Sequence, residues 1–234
     1  MIDFEKFTHL TFDCYGTIID WETGILSAVN PVLERHGVSI EEAEILQLYA
    51  RLEAEQEAGA YKPYKQVLMG VMDGMGHELG FTPSEADLLA LPESVGVWPP
   101  FADSVEALQR LQMGFELVIL SNIDDDSFAA TEAGLGVDFD EVITAQQVES
   151  YKPSLLNFQV ALERLQVPQE QVLHVAQSLF HDHAPAKQLG FTTVWVNRRA
   201  GKAGGGATAP STASPDFEVP DMKALTGLVG LTPT

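Results

Sequence analysis

Short apolar segments, each halted by polar residues and spaced far apart, constrain this chain more than any other feature. The first, His9-Leu10-Thr11-Phe12, runs into Asp13-Cys14-Tyr15-Gly16-Thr17, as a buried strand would run into a tight loop. Residues 117–120, 141–144, 171–176 and 192–196 follow the same design, with a last strand near 217–219. Helical patterns separate them at 103–112, 154–165 and 182–189. Short apolar strands alternating with helices indicate an α/β fold built on a parallel sheet covered on both faces.

After the first strand the period changes for a long stretch. Leu26, Val29, Val32 and Leu33 share one helical face, and Ile45, Leu46, Leu48, Tyr49 and Leu52 suggest a second helix. A third is expected over 64–79, with Met69, Met72 and Met75 in its core face. Pro83-Ser84 opens a fourth, with Thr82 as its N-cap. This block is expected to be an inserted helical cap over 21–96, leaving 1–20 and 97–234 as the core domain. Residues 200–214, rich in Gly, Ala, Ser, Thr and Pro, read as a surface loop.

Charge restricts the partners. With 13 Lys+Arg against 34 Asp+Glu the formal net charge is −21, a surface that repels nucleic acid and anionic membranes. No run of about 18 apolar residues suggests a membrane span. No signal peptide is readable at the N-terminus, and the single cysteine, Cys14, rules out an internal disulfide, so a cytoplasmic setting is expected. A small anionic substrate would need a local cation, for which Arg51, Lys62, Lys65 and Lys152 are candidates. Arg198, Arg199 and Lys202 lie in or beside the Gly-rich loop.

In parallel α/β sheets, ligands bind outside the carboxyl ends of the strands. Those ends deliver Asp13, Cys14, Tyr15 and Thr17, then Ser121 and Asn122, then Lys152, then Gln177, Ser178 and Asp182. His174, His181 and His183 invite a metal reading, but adjacent positions on a helix point apart, so no metal site is expected.

Phe12-Asp13-Cys14-Tyr15-Gly16-Thr17, Leu120-Ser121-Asn122, Tyr151-Lys152-Pro153, and Val175-Ala176-Gln177-Ser178 with Asp182 and Gly190 together resemble the haloacid dehalogenase superfamily. The resemblance spans nearly the whole chain. It implies a Rossmann-like parallel sheet core, a helical cap and an aspartate nucleophile that forms a covalent intermediate.

The superfamily holds two chemistries. Its Mg²⁺-dependent phosphatases carry a second aspartate two residues after the nucleophile and an acidic metal ligand in the fourth motif; here those places hold Tyr15 and Gln177. An alkoxide leaving group needs a proton donor, whereas a halide does not. Mg²⁺ prefers anionic oxygen ligands, which an amide is not. Both departures resemble the L-2-haloacid dehalogenase branch, so no cofactor is expected. Mg²⁺ would enter only if the chain were a phosphatase; a non-catalytic binding protein is the remaining alternative.

The resemblance implies that Asp13 displaces halide, Lys152 keeps Asp13 ionised, and Asp182 positions or deprotonates water. Thr17, with backbone amides near Cys14 and Tyr15, would steady the Asp13 carboxylate. Ser121 and Asn122 would hold the substrate carboxylate, with Tyr15, Gln177 and Ser178 shaping the pocket. Arg51, on a cap helix, would cradle the halide; Glu44, Glu53 and Glu55 offer it ordinary surface partners instead. The cap helices could also supply a homodimer face.

Overall fold

The computed structural model describes residues 3–201 and 206–231. Lys202 lies outside the described residues. β1 (His9–Phe12) sits inside a six-stranded sheet with β2 (Glu116–Ser121), β3 (Glu141–Thr144), β4 (Val172–Ala176), β5 (Thr192–Val196) and β6 (Phe217–Val219). The order is β3-β2-β1-β4-β5-β6 and every neighbouring pair is parallel. Chain order reverses at β1, which has β2 on one side and β4 on the other. A crevice therefore opens at the carboxyl ends of these three strands.

Side chains alternate across the sheet, as the pleat requires. Leu117 and Ile119 of β2 face one apolar cluster, whereas Val118 and Leu120 face another with Ile143, Phe158 and Phe191. The first cluster runs without a break from Phe12 and Ile119 through Trp21 and Tyr49 to Val71 and Met75. Sheet and inserted helices thus share one core.

The insertion carries α1 (Trp21–Arg35), α2 (Glu42–Glu57), α3 (Tyr64–Leu79) and α4 (Glu85–Ser94). α2 packs on α3, α3 on α4 and α4 on α1. Met72 and Met75 are buried, while Met69 is only half-buried, one residue off the inner stripe. α4 begins later than its sequence suggested. Ser84, not Thr82, is the N-cap, because its hydroxyl accepts from Asp87 N while the Asp87 carboxylate accepts from Ser84 N.

The remaining helices are α5 (Ser104–Leu111), α6 (Asp125–Leu135), α7 (Ala145–Val148), α8 (Leu155–Leu165), α9 (Ala184–Leu189) and α10 (Met222–Leu228). The sequence reading passed over α6, α7 and α10. α6 has small and polar residues diluting its apolar stripe, and its acidic start, Asp125-Asp126, suits a helix N-terminus. The helix expected from Asp182 begins instead at Ala184, after a wide turn over Leu179–His183. Among the described residues, no helix is long and apolar enough to cross a membrane.

Candidate active site

The turn after β1 is fixed by backbone before any side chain acts. Cys14 O accepts from the amides of Thr17, Ile18 and Ile19, and Gly16 holds a φ of 94°, a conformation glycine adopts without strain. This tight loop folds Thr17 back onto Asp13. Thr17 Oγ1 donates to Asp13 Oδ2 at 2.7 Å and accepts from Gln177 N at 2.8 Å, tying the β1 turn to the end of β4.

Lys152 completes the array. Its Nζ donates to Asp13 Oδ1 (3.0 Å), Asp182 Oδ1 (2.6 Å) and Leu120 O (2.8 Å), so all three ammonium hydrogens have acceptors. Lys152 is 1% exposed, Asp13 7% and Asp182 0%; the group is a buried charge cluster. Burial would push the ammonium down, yet Asp13 and Asp182 hold it above its ordinary value. Burial raises Asp13 against the opposing pull of Lys152, with Asp182 adding repulsion. Asp182 lies well below the usual carboxylate range: burial opposes this, but Lys152 and His174 outweigh it. His174 Nε2 lies 3.2 Å from Asp182 Oδ1 and its Nδ1 3.0 Å from Thr11 Oγ1.

A small cavity opens onto this cluster. Its core wall includes Asp13, Ser121, Asn122, Lys152, Ser178 and Asp182. Ser121 Oγ and Asp182 Oδ2 are buried there with no hydrogen-bond partner among the described residues. Asn122 does more for Lys152 than its sequence suggested: Oδ1 accepts from Lys152 N at 2.7 Å and Nδ2 donates to Lys152 O at 3.0 Å. Both ends of this amide are thereby engaged in setting the lysine backbone. Tyr15 lines the cavity with its hydroxyl bonded to Thr131 Oγ1 at 2.8 Å, and burial pushes that phenol well above its ordinary value. Gln177 also lines it, its Oε1 accepting from Thr208 Oγ1. Ser178 Oγ accepts from His181 N, and His181, pushed down to about 4 by burial, reaches the cavity too.

Two of the expected site residues are elsewhere. The Cys14 side chain is fully buried in the core, outside the cavity lining, with its thiol pushed up by burial. Arg51 is exposed and pairs with Glu55 (3.1 Å) and Glu78 (2.5 Å). It cannot cradle a ligand beside Asp13. The reason is helical period: Ile45, Tyr49 and Leu52 fix the inner face of α2, and Arg51 falls on the outer one.

The residues that α2 does present are Glu53 and Glu57, which line the cavity with Trp21 of α1 and Tyr64 of α3. Glu53 had passed as a surface partner for Arg51, yet it is 5% exposed. Its Oε1 accepts from Tyr49 Oη at 2.9 Å and from Tyr64 Oη. Burial raises its carboxyl to about 7. The Tyr49-Glu53-Glu57 spacing of four was the available signal, because such residues stack on one face.

The acidic stretch after Asn122 has structural uses. Both Asp124 carboxylate oxygens accept first-turn amides of α3, from Tyr64 and Lys65, each at 2.9 Å. Asp126 pairs with Lys65, and Asp125 accepts from Thr144 and Gln147. Arg198 was also unassigned. Its Nε (3.1 Å) and Nη2 (2.9 Å) donate to Thr17 O while Nη1 pairs with Asp103 at 2.7 Å, holding the Asp13 turn from behind. Lys62 meets Gln56, and Arg199 meets Glu22. Among the described residues lining the cavity, Lys152 is the only lysine or arginine.

A carboxylate–lysine–carboxylate cluster at the switch point of a parallel sheet, roofed by inserted helices, places the chain among parallel-sheet α/β proteins with a site at the strand ends. The chain belongs to the haloacid dehalogenase-like hydrolases, whose family model matches residues 7–190. It is 24% identical over 233 residues to haloacetate dehalogenase H-2 of Moraxella sp. (strain B), covering 97% of this chain and 100% of that one. It is 26% identical over 198 residues to the (S)-2-haloacid dehalogenase of Pseudomonas fluorescens, covering 81% and 84%. The structure of L-2-haloacid dehalogenase from Xanthobacter autotrophicus with chloropropionic acid covalently bound superposes with a TM-score of 0.80 at 24% identity, covering 95% and 98%.

Proposed function

We propose that this hydrolase displaces halide from a 2-haloalkanoic acid through an ester on Asp13. The observation that carries this reading is the buried Lys152 ammonium shared by Asp13 and Asp182. It leaves one carboxylate at the cavity as nucleophile and a second beside it with a free oxygen, Oδ2. In the first step an Asp13 oxygen bonds to the halogen-bearing carbon, and halide departs with the electrons of the breaking bond. No proton is required, which suits a wall where the Tyr15 hydroxyl is bonded away and pushed up. In the second step water attacks the Asp13 carboxyl carbon, the acyl–oxygen bond breaks and the 2-hydroxy acid leaves. Asp182 Oδ2 accepts one proton of that water and passes it to the departing alkoxide oxygen, and the proton left on the Asp13 carboxyl goes to solvent. Ser121 Oγ donates to the substrate carboxylate. The names of the two relatives, and the covalent adduct of the Xanthobacter enzyme, point the same way.

Mg²⁺-dependent phosphoryl transfer fits the donors less well. Gln177 offers a neutral oxygen already bonded to Thr208, and Lys152 bridges the two aspartates. Among the described residues no group of three His, Cys, Asp or Glu side chains is placed to hold a metal. The test compares halide release from 2-chloropropionate with phosphate release from a generic ester, each with EDTA and with Mg²⁺. Halide release that survives EDTA is expected. Mg²⁺-dependent phosphate release without halide would refute the reading.

A further inference from the structure

The cap wall of the cavity carries two carboxyl groups that the proposed reaction does not use. Glu53 and Glu57 lie one helical turn apart on α2, a spacing that brings their Cβ atoms to about 5–6 Å. Both line the cavity that Asp13 lines from the other side. Glu53 Oε1 is held by two tyrosine hydroxyls, which fixes the carboxyl group and leaves Oε2 without a hydrogen-bond partner among the described residues. Glu57, half-buried, has neither hydrogen bond nor ion pair there. The nearby cation cannot serve them, since Lys152 has used its three hydrogens on Asp13, Asp182 and Leu120 O. Arg51, which would have neutralised this wall, faces the opposite way.

The facing wall of the same cavity also offers polar atoms to a ligand, since Ser121 Oγ and Asp182 Oδ2 are buried with no hydrogen-bond partner among the described residues. The aromatic rings of Trp21, Tyr15 and Tyr64 line it as well. Fixed carboxyl oxygens beside aromatic rings are the surroundings that an ammonium group prefers.

We infer that Glu53 and Glu57 form a subsite for a cationic group, so that the substrate carries an ammonium on the end remote from the carbon that Asp13 attacks. As a statement about substrate this rests on the dehalogenase reading; as a statement about binding it does not. The acids behave as the inference requires. Burial, then mutual repulsion, raises Glu57 well above the carboxylate range, and burial raises Glu53 to about 7. A bound cation reverses both effects, so binding near neutral pH releases protons. Asp13, Asp182, Lys152 and His181 face the same cavity and contribute to that count.

Two arms test this. In the first, calorimetry at pH 7 compares 6-aminohexanoate with hexanoate, in two buffers of different ionisation heat. The amino compound is expected to bind at least about tenfold more tightly, with proton release, and Glu57→Gln and Glu53→Gln are each expected to erase most of that preference. Should Glu53→Gln fail to fold, Glu57→Gln decides, since its side chain is only half-buried. Equal binding of the two acids, or a preference that survives the substitutions, overturns the subsite. In the second arm, halide release is compared for 2-chloro-6-aminohexanoate and 2-chlorohexanoate. If both are turned over equally, dehalogenation stands and the subsite falls. If neither is turned over while 6-aminohexanoate binds with proton release, the subsite stands and dehalogenation falls.

Discussion

The two walls of the cavity answer to different physics. On the core wall, groups from β1, β2, β4 and the Lys152 loop converge, and negative charge is partly offset in place: one ammonium between two carboxylates, each with a further partner. Position there is set by strand register, which a sheet enforces along its whole length. On the cap wall α2 supplies Glu53 and Glu57, beside Trp21 and Tyr64, and among the described residues no cation pairs with these two carboxyls. Position there is set by helical phase, and two residues' displacement sends a side chain to the opposite face, as Arg51 shows. Under the proposed function, reaction chemistry belongs to the overdetermined core wall and selectivity to the wall that one helix sets.

Removing the centre of the core wall should have the largest effect. Asp13→Asn is expected to lower halide release by about 10³-fold or more with the fold intact, measured by steady-state kinetics beside circular dichroism. An unchanged rate would show that another group is the nucleophile. Lys152→Met comes next, because it strands two buried carboxylates. A stability loss on the order of 3–5 kcal/mol is expected in urea titration, with activity falling in parallel. Full stability in this variant would mean that the cluster is not charged in the folded protein.

The cap wall should respond to pH rather than to chemistry. The Glu53 carboxyl is raised from 4.5 to about 7, so the folded state holds its proton more tightly than the unfolded state. Its contribution is fully present below about 4.5 and is lost as pH rises through about 7. The span corresponds to a cost on the order of 3 kcal/mol. Thermal melts from pH 5 to 8 should show Glu53→Gln becoming progressively more stable relative to the parent; parallel curves would remove Glu53 from the account. Arg198→Met probes the support behind the core wall. A roughly tenfold loss in kcat with little change in KM is expected, since the Thr17 carbonyl loses its clamp. Arg51→Ala should change least: activity within about twofold and stability almost unaltered, as for an exposed ion pair. A large loss of activity would return Arg51 to the site.

Much of the core wall was legible because it rests on local signals. An apolar run that stops at Asp13-Cys14-Tyr15-Gly16-Thr17 needs a strand and a turn, and the later strand ends carry their polar residues in the same way. Lys152 and Asp182 followed from that logic, and the structure joins Asp13 and Asp182 through the Lys152 ammonium. Asn122 lines the cavity, and its hold on the Lys152 backbone is a loop-to-loop contact that no spacing reveals. Cys14, one residue from the nucleophile, points away because strand neighbours alternate. Thr82 lost the α4 cap to Ser84 because the reciprocal bond with Asp87 settles the start of the helix. α6 escaped notice for want of an apolar stripe, although Asp124-Asp125-Asp126 announced its N-terminus in retrospect.

The sequence by itself determined the alternation of strands and helices, the inserted helical block, and the polar residues at each strand end. These depend on near neighbours and on a period that one sequence displays. Tertiary structure alone decided which face of α2 looks at Asp13, and so exchanged an arginine for two glutamates on the cap wall. Helical phase relative to a distant sheet is set by how Ile45, Tyr49 and Leu52 pack against the rest of the core, a contact between remote segments that local pattern does not encode.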